Sequence, residues 1–335
     1  MFLESISVWA NDRFGIIGSV ILFIIGLGAL IKGGDWFVDG SVGIAKKFRV
    51  PELLIGATVV SIGTTLPEVM VSSTSAVKGI GSIAYGNAIG SVICNTALIA
   101  AVTIAIRPGT VNRRALTIPV VSFFTAALFY SAIAEFTPTF TRPVGIILLV
   151  MFVVYMVVTV VHALRHPEEA DPEEDGKEMP VWKSLLFLIL GAALIAVGAN
   201  FLVDNGTVIA KALGVPETVI ALTFVALGTS LPEFVTAISS LIKGHSALSL
   251  GNIIGANVFN LVLVSGMAIT IRPFDVPAEK LIGGLNSSLV LDIPLMLAVM
   301  AILTIPPLFT GKLRRWQGIV LLTVYAGFAL FQFFG

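Results

Sequence analysis

Long apolar runs fill most of this chain, and they restrict its fold more than any other feature. The segment VGIILLVMFVVYMVVTVV at 144–161 has no polar face, and roughly 20 such residues in a helix cross a bilayer core about 30 Å thick. Hydrophobic residues make up 56% of the 335 positions, and charged residues make up 12%. Since the runs do not alternate in polarity as barrel strands do, the sequence predicts an all-α integral membrane protein.

Ten runs are long enough to span a membrane. Their boundaries are soft by several residues, because sequence patterns define the ends of helices poorly. The predicted transmembrane helices are 14–46, 51–79, 82–106, 114–134, 143–164, 181–212, 216–243, 246–271, 287–308 and 315–334.

The placement of Lys and Arg predicts the orientation of these spans. The loops that follow spans 1, 3, 5, 7 and 9 contain thirteen basic residues, and the segments on the other side of the membrane contain six. Because cytoplasmic loops carry the excess of positive charge, we expect a multi-pass protein of the cell (plasma) membrane with both termini outside the cytoplasm. The N-terminal segment MFLESISVWANDRF has no basic region before an apolar stretch, so no removable signal peptide is expected.

The second half of the chain repeats the first. Segment 31–108 aligns with segment 196–273 without a gap and gives 30 identities in 78 positions. Self-similarity of this kind indicates a repeated structural unit. The most similar segments are GTTLPE at 63–68 with GTSLPE at 228–233, and GNAIG at 86–90 with GNIIG at 251–255.

The period of this repeat predicts two inverted halves. The alignment places the second span on the seventh, so each half holds five spans, and an odd number of spans reverses the orientation of the second half. In transporters of this plan, substrate binds near the midplane, where discontinuous helices meet. We therefore expect broken helices 2, 3, 7 and 8 at the core. The halves are 1–164 and 183–335, their α-repeats cover about 51–106 and 216–271, and an acidic cytoplasmic linker, 165–182, joins them.

Two glutamates lie deep inside predicted spans. Glu68 is in the second span, and Glu233 has the equivalent position in the seventh. An ionised carboxylate inside a membrane costs several kcal/mol unless an opposite charge compensates it, and the sequence places no Lys or Arg beside either acid. Two acids without a resident cation indicate that cations arrive from solution.

Neutral oxygen atoms are available next to each acid. Pro67 and Pro232 have no backbone N–H, so each leaves a carbonyl group one turn earlier without its helical donor. Carboxylate, carbonyl and hydroxyl oxygens suit Ca²⁺ or Na⁺ rather than zinc or copper. Hydroxyl groups within reach of the same turns belong to Ser61, Thr64, Thr65, Thr229 and Ser230.

The second repeated motif adds amide groups. Asn87, Ser91 and Asn95 are spaced by four residues and therefore share one face of a helix. We expect Asn95 and Asn260 to face the ions. The other motif asparagines, which either face the ions or satisfy freed backbone groups, are Asn87, Asn252 and Asn257.

These doubled motifs resemble those of the cation/calcium exchanger superfamily, and in particular those of the prokaryotic sodium/calcium exchangers. Each α-repeat of that family carries G-T-S-L-P-E followed by G-N-x-I-G-S-N. The resemblance covers the ten-span plan and both repeats, but not the linker or spans 4, 5, 9 and 10 in detail. It implies that the long helices 1 and 6 slide across the rest of the protein and expose the sites alternately to the two sides.

The resemblance also implies a diamond of four cation sites between spans 2, 3, 7 and 8. Calcium would be held chiefly by the two glutamates and the carbonyl groups of Thr64 and Thr229. The flanking sodium sites would use Ser61, Thr65, Ser91, Ser230 and the carbonyl group of Ala226, with Asn95 and Asn260 beside the middle site.

Two positions depart from the family pattern. Asn260 stands where some relatives have Asp, which makes potassium co-transport less expected. Ala256 stands where the first repeat has Ser91, so one flanking site has one hydroxyl group fewer. These differences bear on sodium affinity and stoichiometry.

The predicted function is secondary active antiport of Na⁺ and Ca²⁺, electrogenic and K⁺-independent, rather than enzymatic catalysis. One Ca²⁺ or two Na⁺ neutralise two carboxylates, whereas the empty carrier keeps the penalty of buried charge and should switch sides poorly. A third Na⁺ would make the cycle electrogenic. The expected partners are Ca²⁺, Na⁺ and the lipid bilayer, with no cofactor, nucleic acid or obligate protein partner.

Three alternatives stay open. The first is an H⁺/Ca²⁺ antiporter of the same superfamily, although the hydroxyl groups near the acids favour Na⁺. The second is a calcium-permeable channel with the two acids as its filter, although inverted halves around one midplane site fit alternating access better. The third is an intramembrane enzyme that uses paired carboxylates.

Overall fold

The computed structural model describes residues 2–165, 179–213, 226–278 and 281–334. Most of the acidic linker and the first part of the predicted seventh span lie outside the described residues. In chain order the helices are α1 (Phe2–Phe14), α2 (Ile16–Phe48), α3 (Glu52–Val77), α4 (Gly81–Ile106), α5 (Arg113–Phe136), α6 (Arg142–Arg165), α7 (Val181–Ala212), α8 (Ala226–Thr229), α9 (Leu231–Ile242), α10 (Ser246–Ile271), α11 (Ser288–Thr310) and α12 (Arg315–Phe334).

Eight helices in the described residues are long and apolar enough to cross a membrane: α2 to α7, α10 and α11. They coincide with eight of the predicted spans, which confirms the prediction of a helical, multi-pass membrane protein. α12 occupies the tenth predicted span, and α9 is a shorter apolar helix within the seventh. A total of ten spans remains a prediction, because α12 is not among the eight helices and residues 216–225 of the seventh span are outside the described part.

The prediction of broken helices is correct for the seventh span alone. There the helix is interrupted at Ser230, and Pro232 falls in the first turn of α9, where a missing N–H has no helical partner to lose. The helices α3, α4 and α10 continue without a break and contain wide π-helical turns instead. A π turn accommodates one extra residue within the helix, so the helix continues through the irregular turn. These turns are Gly56–Val60, Asn95–Ala100 and Asn260–Val264.

Two kinds of element were not predicted from the sequence. α1 is too short and too polar to stand out as a membrane span, yet it packs on α2 and α7. Two short antiparallel strand pairs lie in loops: β1 (Thr139–Phe140) with β2 (Phe274–Asp275), and β3 (Leu281–Ile282) with β4 (Leu285–Asn286). Pairs of two residues leave no measurable period in a sequence.

The internal repeat is visible in the helix boundaries. The first helical segment of α4 covers Gly81–Cys94, that of α10 covers Ser246–Phe259, and an asparagine then begins the π turn in both. Both ends of these segments are equivalent positions in the alignment of the two repeats. The turns that precede them repeat as well, with φ angles of +79° at Gly79 and +90° at Gly244. Equivalent sequence segments therefore adopt the same local structure.

The two longest helices, α2 and α7, pack against each other in antiparallel directions. A Cβ atom at Gly26 would lie 3.0 Å from the carbonyl oxygen of Gly198, and one at Gly33 would lie 2.9 Å from that of Gly191. Glycine at these positions lets the two backbones touch. Gly26 is equivalent in the repeat to Gly191, and Gly33 to Gly198, so the same contact is made twice with the halves exchanged.

α10 lies at the centre of the molecule. All of its residues from Leu248 to Phe259 are buried, and α3, α4 and α5 pack around it. In contrast, α2, α6 and α7 carry large exposed apolar side chains on their outer faces, such as Ile24, Val153 and Ile189. An apolar outer surface around a polar-lined centre is the arrangement expected in lipid.

Candidate cation-binding site

Glu68 on α3 and Glu233 on α9 are both fully buried, with an exposed fraction of 0%. Neither carboxylate has a hydrogen-bond partner among the described residues. The two acids interact electrostatically with each other, so the chain brings them into one site from its two halves. A pair of buried like charges without compensating groups is strongly unfavourable, and a cation between them would remove that cost.

The buried amides Asn95 and Asn260 each occupy the first position of a π turn. Both are 0% exposed, and neither the nitrogen nor the oxygen of either amide has a hydrogen-bond partner in the described part of the chain. Cys94, next to Asn95, interacts electrostatically with both glutamates, which places this turn of α4 beside the acids. The unsatisfied amide of Asn95, beside the acid pair, is therefore available as a neutral oxygen ligand, and Asn260 occupies the equivalent position of the second repeat.

The motif threonines are held across the boundary between the halves. Thr64 donates a hydrogen bond to Oδ1 of Asn252 at 3.2 Å, and Thr229 donates one to Oδ1 of Asn87 at 3.4 Å. Asn87 in turn donates to the carbonyl oxygen of Glu68 at 3.1 Å. Asn87 thus binds a backbone carbonyl group, although not the one that Pro67 frees one turn earlier, and both asparagines bind a threonine of the opposite half.

The expected flanking ligands have different environments. The Ser61 hydroxyl lies 2.8 Å from the carbonyl oxygen of Gly56 and 2.9 Å from that of Asn252, so its proton is already used. The hydroxyl groups of Thr65 and Ser230 are buried and have no hydrogen-bond partner in the described residues. Ser91 is buried, and Ala226 is the first residue of α8.

A cavity of about 600 Å³ is lined by residues of both GT motifs. Thr64, Pro67, Thr229 and Pro232 line it, and so do residues of α7. Two polar lining residues of α7, Asn200 and Asp204, were not predicted as site residues. The internal repeat offered a signal for Asp204, because Val203 and Asp204 repeat the Val-Asp pair at 38–39.

The donor set of the site consists of two carboxylates and neutral oxygens. Within the described residues there is no group of three or more His, Cys, Asp or Glu side chains that could hold a metal ion. Hydroxyl, amide and backbone carbonyl oxygens are therefore the described groups that can complete the coordination of a cation between Glu68 and Glu233. Oxygen ligands of this kind suit hard cations such as Ca²⁺ and Na⁺.

Comparisons with known proteins identify the family. The family model described as sodium/calcium exchanger protein matches residues 18–161 and 183–334. The sodium/calcium exchanger MaX1 of Methanosarcina acetivorans is 28% identical over 356 residues, which covers 94% of this chain and 98% of that protein. The inner membrane protein YrbG of Escherichia coli is 37% identical over 267 residues, or 76% of this chain and 80% of that protein.

Solved structures show the same relationship at the level of the fold. The sodium-calcium exchanger NCX_Mj, soaked with 2.5 mM Na⁺ and 0.1 mM Sr²⁺, matches with a TM-score of 0.77 and 31% sequence identity. The match covers 93% of this chain and 97% of that chain. The family and its named exchangers are transporters, which confirms that an enzyme is not the correct class. The chain belongs to the sodium/calcium exchanger family.

Proposed function

We propose that this protein is a secondary active antiporter that exchanges Na⁺ for Ca²⁺ by alternating access. The observation that carries the proposal is the pair of buried carboxylates, Glu68 and Glu233, whose oxygens have no partner among the described residues. One Ca²⁺ or two Na⁺ would neutralise the pair, whereas the empty site keeps two buried charges. Exchange is then favoured over leak, because the loaded forms can switch sides and the empty form cannot.

Alternating access is supported by the contact between α2 and α7. Gly26 meets Gly198, and the equivalent residues Gly191 and Gly33 meet in the same way. Antiparallel equivalent helices with reciprocal contacts are what two inverted halves around a two-fold axis in the membrane plane would give. We infer the inverted halves 1–164 and 183–335 from this reciprocity, with the linker 165–182 between them.

The proposed ligands are those expected from the sequence. Glu68 and Glu233 supply the charge, and Thr64 and Thr229, which line the cavity, supply carbonyl oxygens to Ca²⁺. Na⁺ would use the flanking oxygens, and a third Na⁺ would make the cycle electrogenic. The absence of an acid at position 260 supports independence from K⁺. The flanking and middle-site residues are Ser61, Thr65, Ser91, Asn95, Ala226, Ser230 and Asn260.

The test uses purified protein in proteoliposomes loaded with Na⁺ and diluted into Na⁺-free buffer that contains radioactive Ca²⁺. We expect Ca²⁺ uptake that requires internal Na⁺, persists when a protonophore collapses the proton gradient, and persists when K⁺ is replaced by choline. Uptake that follows a proton gradient and ignores Na⁺ would instead identify an H⁺/Ca²⁺ antiporter. Uptake without any counter-ion would indicate a channel.

The proposed location is the plasma membrane, with both termini outside the cytoplasm. The orientation follows from the thirteen basic residues on one side of the spans against six on the other. Fusion of a reporter that is active only in the cytoplasm to the C-terminus should give no signal, whereas its insertion in the 165–182 linker should give one. The opposite pattern would reverse the orientation.

A further inference from the structure

Two asparagines outside the expected ligand set bind the threonines of the cation site. Asn87 and Asn252 occupy equivalent positions of the two repeats, each as the second residue of its GN motif. The Oδ1 atom of Asn252 accepts the hydrogen bond of Thr64, and the Oδ1 atom of Asn87 accepts that of Thr229. Each amide thus takes the hydroxyl proton of a threonine from the opposite half.

The two amides are confined in different ways. Asn87 donates through Nδ2 to the hydroxyl of Ser72 at 2.8 Å and to the carbonyl oxygen of Glu68 at 3.1 Å, so hydrogen bonds fix its Oδ1 atom. Asn252 is fully buried, and its Nδ2 atom has no hydrogen-bond partner in the described residues. The Ser61 hydroxyl lies 2.9 Å from its backbone carbonyl oxygen and 3.4 Å from its Oδ1 atom, so burial and this contact keep the Oδ1 atom of Asn252 beside Thr64.

The direction of a hydroxyl proton decides what its oxygen can bind. A threonine hydroxyl has one proton and two acceptor lone pairs, and only the lone pairs can bind a cation. Thr64 lies close to the carboxylate of Glu233, which is a stronger acceptor than an amide because it is charged. Without Asn252, the Thr64 proton would be free to turn toward Glu233 and would compete there with the transported ion.

We propose that Asn87 and Asn252 are positioning residues for cation transport. They hold the protons of Thr229 and Thr64 away from the acids, so that the carboxylates and the hydroxyl lone pairs stay available to the ion. The proposal rests on the proposed exchange function, since it concerns the same site. It does not require either amide to touch the ion.

The test compares Asn252→Leu, which keeps the size of the side chain and removes the acceptor, with the wild type. In Na⁺-loaded proteoliposomes we expect the KM for Ca²⁺ to rise about tenfold, which corresponds to about 1.4 kcal/mol, the order of one hydrogen bond, and the maximal rate to stay within about twofold. Asn205→Leu is the matched control. Asn205 is a buried asparagine of α7 that bonds to Ser7 and Phe201, and its replacement should leave the KM unchanged.

A second comparison separates positioning from a general structural role. Thr64→Val removes the hydroxyl group, so Asn252→Leu should add nothing further to the KM in the double variant, since no proton is left to orient. Additive effects, or an unchanged KM in Asn252→Leu, would overturn the proposal. If Asn252→Leu does not fold, Asn252→Asp decides, because it keeps an acceptor oxygen at the same place. Weaker Ca²⁺ binding in Asn252→Asp than in the wild type would refute the idea.

Direct Ca²⁺ binding keeps this inference separate from the transport proposal. Calorimetric titration of the detergent-solubilised wild type and variants with Ca²⁺ requires no counter-ion. If uptake proves independent of Na⁺, the exchange proposal fails, while a tenfold weaker affinity of Asn252→Leu would still support positioning. Equal affinities of the two proteins would overturn positioning even if exchange is confirmed.

Discussion

The reciprocal contact between α2 and α7 predicts opposite effects for the same substitution at two glycines of one helix. A Cβ atom at Gly33 would lie 2.8 Å from the backbone nitrogen of Ile195 and 2.9 Å from the carbonyl oxygen of Gly191. Both distances are below 3.0 Å, and real Cβ atoms essentially never lie so close to another heavy atom. Both neighbours are backbone atoms, so the two helices themselves must separate.

The magnitude follows from two opposing terms. Overpacking of a tight contact costs about 1–3 kcal/mol, and replacing Gly by Ala in a helix gains about 1 kcal/mol. At Gly28 of the same helix an added Cβ meets no atom within 4 Å. Gly28→Ala therefore gains helix stability and has no overpacking cost. Since the helix term is common to both variants, Gly33→Ala should be less stable than Gly28→Ala by about 1–3 kcal/mol.

The assay is thermal unfolding of each detergent-solubilised variant, followed by tryptophan fluorescence. We expect the midpoint temperatures in the order Gly28→Ala, then wild type, then Gly33→Ala. Ca²⁺ uptake should be retained by Gly28→Ala. Equal midpoints for the two variants would show that the backbones of α2 and α7 are not in direct contact at Gly33. The two helices would then not pack reciprocally through their glycines.

Three further predictions concern the site and the π turn of α3. Glu68→Gln and Glu233→Gln should each reduce Ca²⁺ uptake by about 100-fold or more, because a neutral amide leaves the ion half compensated, while the midpoint of unfolding stays equal or rises; normal uptake in both would exclude the site. Tyr155→Phe should lower stability by about 1–2 kcal/mol, because the Tyr155 hydroxyl donates to the carbonyl oxygen of Ala57 at 2.8 Å; an unchanged midpoint would contradict this. Asn260→Asp should tighten Ca²⁺ binding in calorimetry, since it adds a carboxylate beside the pair, and unchanged binding would show that position 260 lies away from the ion.

Hydrophobic runs were sufficient to predict the membrane helices, because each run is a strong and local signal, and the repeat then showed which spans are equivalent. The pairing of Glu68 with Glu233 was also expected from the proposed inversion of the repeats, since substrate sites of transporters with that plan lie where the two halves meet. Chemistry then limited the choice of ligand, because buried carboxylates without a resident cation require a positive charge from solution. These inferences needed no side-chain geometry.

The local response to each proline could not be predicted. The same tripeptide, Leu-Pro-Glu, follows a helix interruption at Ser230 in one half and lies inside the continuous helix α3 in the other. Because the tripeptide is the same in both halves, the difference depends on contacts outside it. One contact of the first half joins the hydroxyl of Tyr155 on α6 to the carbonyl oxygen of Ala57 in the π turn of α3. Contacts of this kind are made between helices, so the sequence of one helix does not reveal them.

The partners of Asn87 and Asn252 were beyond sequence reasoning for a similar reason. Both were expected to lie near the site, but which hydroxyl each amide binds depends on how the two halves meet. The crossed pairing with Thr229 and Thr64 is a property of the assembled halves. Neither α-repeat contains it alone.

In the terms used for oligomers, the glycine contact of α2 with α7 is isologous: each half presents the same surface to the other. Such a contact is unchanged when the two halves exchange roles, so it contributes equally to two states of an exchanger that are related by that exchange. Any preference for one state must therefore come from positions at which the repeats differ. Among the proposed ligand positions the repeats differ at Ser61 against Ala226, Thr65 against Ser230, and Ser91 against Ala256, and such a bias can arise there.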